Sequence, residues 1–213
     1  MTMNKSSIAI VALLALAVGF LGSWYLHINQ PIRLETGTWF AEQARALPEF
    51  KLVDHHNQAL TRTRLRGKWN LMFFGYTHCP DICPTSLQTL ADMLEAIDDA
   101  DVRDAIEVYF VSVDPDRDTP ELLSSYVTYF NPEFTAATAA MADIRILTSS
   151  LGIHHEIHKQ ADDDLNYGVD HSGAIILINP AAEFAGLFSP PHNAQAMARD
   201  MSLIIEHADF PSS

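Results

Sequence analysis

The chain has 213 residues, 48% of them hydrophobic and 19% charged, which suits one globular domain of ordinary size with a short appendage and is unlike a disordered protein. Lys and Arg number 13 against 27 Asp and Glu, and the net charge of -14 repels phosphate backbones, arguing against a nucleic-acid partner. Only two cysteines occur, Cys79 and Cys83, so a disulfide-stapled scaffold is excluded and any cysteine chemistry happens at one place.

The first region to stand apart is residues 1–26. No Asp or Glu precedes Glu35, and Lys5 is the one charged side chain in the first 32 residues. From Ser6 to Leu26 the chain is uncharged and long enough to cross a hydrocarbon core of about 30 Å as a helix. A cleaved signal peptide is the rival, since Ala15-Leu16-Ala17 has the A-x-A form, but cleavage there would leave Val18 to Tyr25 as an apolar stub. The expectation is therefore an uncleaved N-terminal transmembrane helix, with Trp24 and Tyr25 at the interface. Lys5 on the short side places the rest of the chain outside the cytoplasm. A bacterial inner membrane with a periplasmic domain is the simplest location.

Residues 27–48 mix His27, Pro31, Gly37 and charges without a period and read as a linker, leaving 49–213 as the folded domain. Phe50 to Val53 reads as a short strand, and Trp69 to Gly75 as a buried strand ending at a glycine. Leu87, Leu90, Met93, Leu94 and Ile97 then recur at helical spacing. Ile106 to Val113 is a second buried strand, followed by helices over Thr119 to Phe130 and Met141 to Leu151. Ala174 to Ile178 predicts a third buried strand, Glu183 to Phe188 an edge strand, and His192 to His207 a closing helix. Strands alternating with helices predict an α/β sheet flanked by helices, at least partly parallel.

The segment Gly75-Tyr76-Thr77-His78-Cys79-Pro80-Asp81-Ile82-Cys83-Pro84 lies on a strand-to-helix turn. Pro84 marks the first helical turn, placing Cys83 at or near the N-cap and Cys79 one turn earlier. There the helix dipole favours thiolate over thiol. Two reduced cysteines used as small core residues are the alternative, but they stand in a polar, proline-rich turn. A soft sulfur pair suits Cu(I), Zn or a reversible disulfide, and two thiolates alone leave a coordination shell incomplete.

Ten histidines compete to be a third donor: His27, His55, His56, His78, His154, His155, His158, His171, His192 and His207. His78 adjoins Cys79 but points away from it on an extended stretch, and reads as a support for the loop. His154, His155 and His158 sit around a helix end with no cysteine near in sequence, and read as a solvated polar face. His171 lies in the short loop Gly168 to Gly173, just before a buried strand, where Asp170 could orient an imidazole or tune the charge. Spacing alone leaves that choice open. Asp114, Asp116 and Asp118 could be oxygen ligands for a hard cation, but Asp118-Thr119-Pro120 reads better as a turn and helix cap.

Three ordered motifs carry a resemblance: GYTHCPDICP, then VSVDPDRDTP at 111–120, then VDHSG at 169–173 followed by an apolar strand and Asn179-Pro180. Together they resemble the Sco/SenC family of copper proteins over roughly residues 47–207. The resemblance implies a thioredoxin-like fold and one copper ion held by Cys79, Cys83 and His171. It implies delivery of that copper to the binuclear CuA centre of cytochrome c oxidase subunit II during oxidase assembly. Two thiolates and an imidazole hold Cu(I) well, whereas Cu(II) needs a further donor. Asp81, between the cysteines, has two readings, a helix cap or a charge that tunes copper affinity. A carrier also needs an upstream periplasmic copper donor and, because close periplasmic thiols oxidise, a thioredoxin-like reductant that keeps Cys79 and Cys83 from forming a redox disulfide.

The rival is a periplasmic thiol–disulfide oxidoreductase that keeps the CuA cysteines reduced. Against it stand the C-x-x-x-C spacing, the absence of proline between Pro132 and Pro180, and an imidazole that a reductase has no use for. A peroxidase is weaker still, since no nucleophile motif of that kind is present.

Overall fold

A computed structural model describes residues 14–24, 32–40, 43–158 and 167–208, with the backbone alone described at His158, Asp170 and His171. The chain divides into two units, Met1–Arg33 and Leu34–Ser213. In the first, residues 14–24 are helical (α1) and exposed. The rest of the predicted anchor, 6–13 and 25–26, lies outside the described residues, and no helix among the described residues is long and apolar enough to cross a membrane.

In chain order the second unit contains β1 (Gly37–Trp39), β2 (Arg45–Ala46), β3 (Lys51–Asp54), β4 (Ala59–Thr61) and β5 (Trp69–Gly75). After β5 come helices α2 (Ile82–Glu95) and α3 (Ala100–Asp104), then β6 (Ile106–Ser112), α4 (Pro120–Phe130), β7 (Thr135–Thr138) and α5 (Met141–Leu151). The chain ends with β8 (His155–His158), β9 (Gly168–His171), β10 (Ile175–Ile178), β11 (Glu183–Phe188) and α6 (Ala194–His207).

The main sheet is nine-stranded, in the order β1-β11-β10-β5-β6-β7-β3-β4 with β2 also on β11. Its centre is parallel: β5 pairs with β6 from Trp69↔Ile106 to Gly75↔Ser112, and β6 with β7. Every residue of β5 is buried, and since alternate side chains of a strand point to opposite faces, both faces of the sheet are covered. All the other neighbours are antiparallel, so the sheet is mixed and flanked by helices. β8 and β9 form a separate two-stranded ribbon, pairing His155 with His171.

Local chemistry accounts for the helix ends. Thr119 caps α4, its side chain accepting from Leu122 N, and Pro120 follows in the first turn. Asn193 caps α6 by accepting from Ala196 N. At the other end of α5, Gly152 takes the left-handed conformation at φ 69°, which a residue without Cβ adopts at little cost.

Two readings need correction. β11 is not an edge strand, because it pairs with β10 on one side and with β1 and β2 on the other. Those partners come from the stretch taken as linker, where residues 37–39 and 45–46 are strands instead, and the second unit begins at Leu34. The cause is that such short strands carry no alternation of their own; the hydrogen bonds of β11 order them.

Candidate metal centre

β5 and β6 run parallel and end side by side, with Val113 N donating to Gly75 O at 2.9 Å, so the chain leaves both central strands at one end of the sheet. In open α/β sheets this is where ligands collect. From β5 the chain turns through residues 76–81 into α2, a turn fastened when Cys79 N donates to Tyr76 O at 3.2 Å. Asp118, at the end of the other loop, is buried and accepts from Thr77 N at 3.0 Å, Thr77 Oγ1 at 2.6 Å and Ser112 Oγ at 2.5 Å. The Asp118 carboxylate thus serves the turns. His78 is exposed, its Nδ1 lying 3.0 Å from Thr77 Oγ1.

Helix α2 begins at Ile82, so Cys83 sits inside its first turn and Asp81 at the N-cap. The Asp81 side chain makes no capping hydrogen bond; its backbone carbonyl accepts from Thr85 N and Thr85 Oγ1. Both cysteines are thiols and buried, Cys83 completely. The expectation of a thiolate favoured by the helix dipole is corrected at Cys83, where a hydrogen bond with Cys79, and then burial, push the thiol well above its ordinary range. Near the pair, Tyr126 Oη is buried with no hydrogen-bond partner among the described residues, and burial and the neighbouring Cys83, Cys79 and Asp118 raise its pKa.

The loop that follows β9 packs against the cysteine turn. A methyl group on Gly173 would stand 2.7 Å from Cδ1 of Ile82, the residue before Cys83, and His192 Nε2 donates to Gly173 O at 2.8 Å. Upstream in the same segment, Val169 N donates to Tyr76 Oη at 3.5 Å. The His171 backbone is therefore held on both sides against the turn that carries the cysteines. The side chains of His171 and Asp170 lie outside the described residues, and among the described residues no three His, Cys, Asp or Glu side chains gather to hold a metal.

His155, read as part of a solvated helix end, is instead half-buried in β8 opposite His171, while His154 is exposed with Nε2 3.8 Å from Glu156. The reading from sequence missed Arg117. Its guanidinium lies 3.6 Å from the Tyr167 ring centroid and 5.4 Å from that of Tyr76, pairs with Asp114 at 2.5 Å and donates to Tyr167 O at 3.0 Å. The one signal was its place in the DPDRDTP loop.

Comparison with known proteins places this geometry. The SCO1/SenC family model matches residues 40–206. The chain belongs to the SCO1/SenC family. A SCO2-like protein of Rickettsia prowazekii is 32% identical over 183 residues, 84% of this chain and 88% of that protein. The structure of Bradyrhizobium japonicum ScoI with copper bound is 33% identical, with a TM-score of 0.66 over 74% of this chain and 98% of that one. BsSco, in which a disulfide switch is identified and which is described as a member of the Sco family of cytochrome c oxidase assembly proteins, shares the fold at 16% identity. Its TM-score is 0.56 over 78% of this chain and 96% of BsSco. The sheet and helices are thus the thioredoxin-like Sco fold, and Sco relatives bind copper.

The donor set fits that cargo. Two sulfurs close enough to share a hydrogen bond, at a water-poor strand end, favour a soft monovalent ion over a hard divalent one. Asp114 and Asp118 are engaged with Arg117, Thr77 and Ser112, and no metal-holding group of carboxylates occurs among the described residues.

Proposed function

We propose that this chain is a copper carrier that binds one ion through Cys79, Cys83 and His171 and hands it to the CuA centre of cytochrome c oxidase subunit II. The observation that carries the reading is the packing of Gly173 on Ile82, which sets the histidine-bearing segment against the cysteine turn. The copper-bound ScoI relative supports the cargo, and the resemblance of the three motifs supports the destination. Thiols donate to Cu(I) as thiolates, so loading releases protons and an oxidised pair cannot load. Release follows by stepwise exchange onto an acceptor's thiolates. We place the domain in the periplasm behind a single inner-membrane helix over residues 6–26, supplied by a periplasmic copper donor and kept reduced by a thioredoxin-like protein. Tethering confines the search for subunit II to the plane of the membrane.

The test is a Cu(I) titration of the full reduced chain against a competing chelator, with Cys79, Cys83 and His171 each replaced by Ala. One equivalent per chain, with affinity lost on each replacement, is the expected result. Undiminished affinity in His171→Ala overturns the ligand set. The hydrogen-bonded thiols also suit the second reading, reduction of the CuA cysteines. Reductase activity that survives His171→Ala in a chain whose copper affinity never depended on that residue favours it.

A further inference from the structure

The third donor of the proposed site does not belong to the main sheet. It ends β9, in a ribbon whose ladder is β8 and β9 alone. A two-stranded ribbon is marginal by itself, so something else has to hold it at a fixed distance from the cysteine turn.

The side chain that spans the gap is Arg117. From the loop after β6 its guanidinium lies face-on to Tyr167, the residue before β9, at 3.6 Å, and 5.4 Å from the ring of Tyr76, at the start of the cysteine turn. One arm donates to the Tyr167 carbonyl at 3.0 Å, and Nε donates to Asp114 Oδ2 at 2.5 Å. Tyr167 returns the contact, its hydroxyl donating to Asp114 Oδ1 at 2.5 Å. Tyr76 Oη in turn accepts from Val169 N. The loop after β6, the cysteine turn and the base of β9 are thereby joined through one planar cation with 7% side-chain exposure. Arg suits this position where Lys does not, because only a flat guanidinium stacks on a ring while its edge donates in two directions.

We infer that Arg117 is the positioning residue of the copper site: it fixes the His171 strand over the Cys79–Cys83 turn and so sets the approach of the third donor. It acts through His171. The inference rests on the copper reading above.

The test combines two readouts on the full chain. In the metal-free reduced chain, Arg117→Lys speeds amide exchange at residues 168–171 while leaving that of β5 unchanged. In the Cu(I) competition titration the same variant loses about 10–100-fold in affinity, the size usual for groups that orient a ligand. In a His171→Ala background it loses nothing more. Should Arg117→Lys fail to fold, Tyr167→Leu removes the stacking face, keeps the Asp114 ion pair and reads the same quantities. Equal losses with and without His171, or unchanged affinity and exchange, overturn the inference. A His171→Ala chain that binds Cu(I) as tightly as the unmodified one overturns instead the ligand set beneath it, and the exchange readout still judges the Arg117 clamp.

Discussion

Cys83 rests on Gly75. A methyl group at Gly75 would stand 2.5 Å from Cys83 Sγ and 2.9 Å from Phe110 Cε2, closer than any Cβ contact allows. The last residue of the central strand is thus a glycine because a sulfur occupies the space above it. Gly75→Ala is expected to cost about 1–3 kcal/mol of stability through overpacking and to displace the sulfur. Urea unfolding reads the first effect and Cu(I) competition the second. A variant with unchanged stability and affinity would show that the sulfur moves aside freely.

The state of the thiols sets a pH dependence for copper. Hydrogen bonding to Cys79 and burial keep the Cys83 thiol protonated through neutral pH. Binding Cu(I) as a thiolate therefore releases at least one proton, and affinity should rise roughly tenfold per pH unit for each proton released. Competition titrations at several pH values give the slope; a flat profile contradicts thiolate ligation by Cys83.

Stability should decline in mild acid. His55, through burial and its neighbour His56, and His192, through burial, are held below the ordinary histidine value of 6.5. The unfolded chain takes up protons near that value and the folded chain only at lower pH, so unfolding binds protons in between. This share of stability is complete above 6.5 and is lost as the pH falls toward the folded values. Urea midpoints should drop between about pH 7.5 and about pH 5.5, and drop less in His192→Gln, which keeps a donor for Gly173 O but does not titrate.

Asp200 on α6 is fully buried and accepts from Glu35 N at 2.7 Å, Thr36 N at 2.8 Å, Thr36 Oγ1 at 3.0 Å and Gly37 N at 2.8 Å. It gathers the backbone leading into β1. Asp200→Ala leaves these donors unpaired and should cost about 2–4 kcal/mol, whereas Arg199→Ala, which removes an exposed, solvent-screened pair with Glu35, should shift stability far less. Thermal unfolding of the two variants separates them.

What could be read before folding was whatever depends on neighbours in sequence. Trp69 to Gly75 is an apolar run interrupted by Asn70 and is β5 to the residue; Met141 to Leu151 is α5; Thr119 and Pro120 announce the start of α4. The cysteine spacing and the Val169 to Gly173 segment were legible for the same reason, as short local motifs. What escaped depends on distant partners. β7 is Thr-Ala-Ala-Thr, with little strand preference of its own, and exists because β6 and β3 flank it. β1 and β2 are ordered by β11, and β8 by β9. Arg117 meets Tyr167 across fifty positions, a pairing no local pattern announces. The thiol character of Cys83 was misjudged because a position near a helix start does not reveal how deeply the sulfur is buried or that it shares a hydrogen bond with another thiol.

The separateness of the β8–β9 ribbon has a mechanical outcome. Cys79 and Cys83 sit beside a strand whose every residue is buried, while the segment bearing His171 pairs with β8 at four positions, outside the main sheet, and is backed by a stacked arginine. On the proposed ligand set the ion is shared between the end of the main sheet and a smaller ribbon, so its release asks for a shift of the ribbon alone, with the sheet left intact.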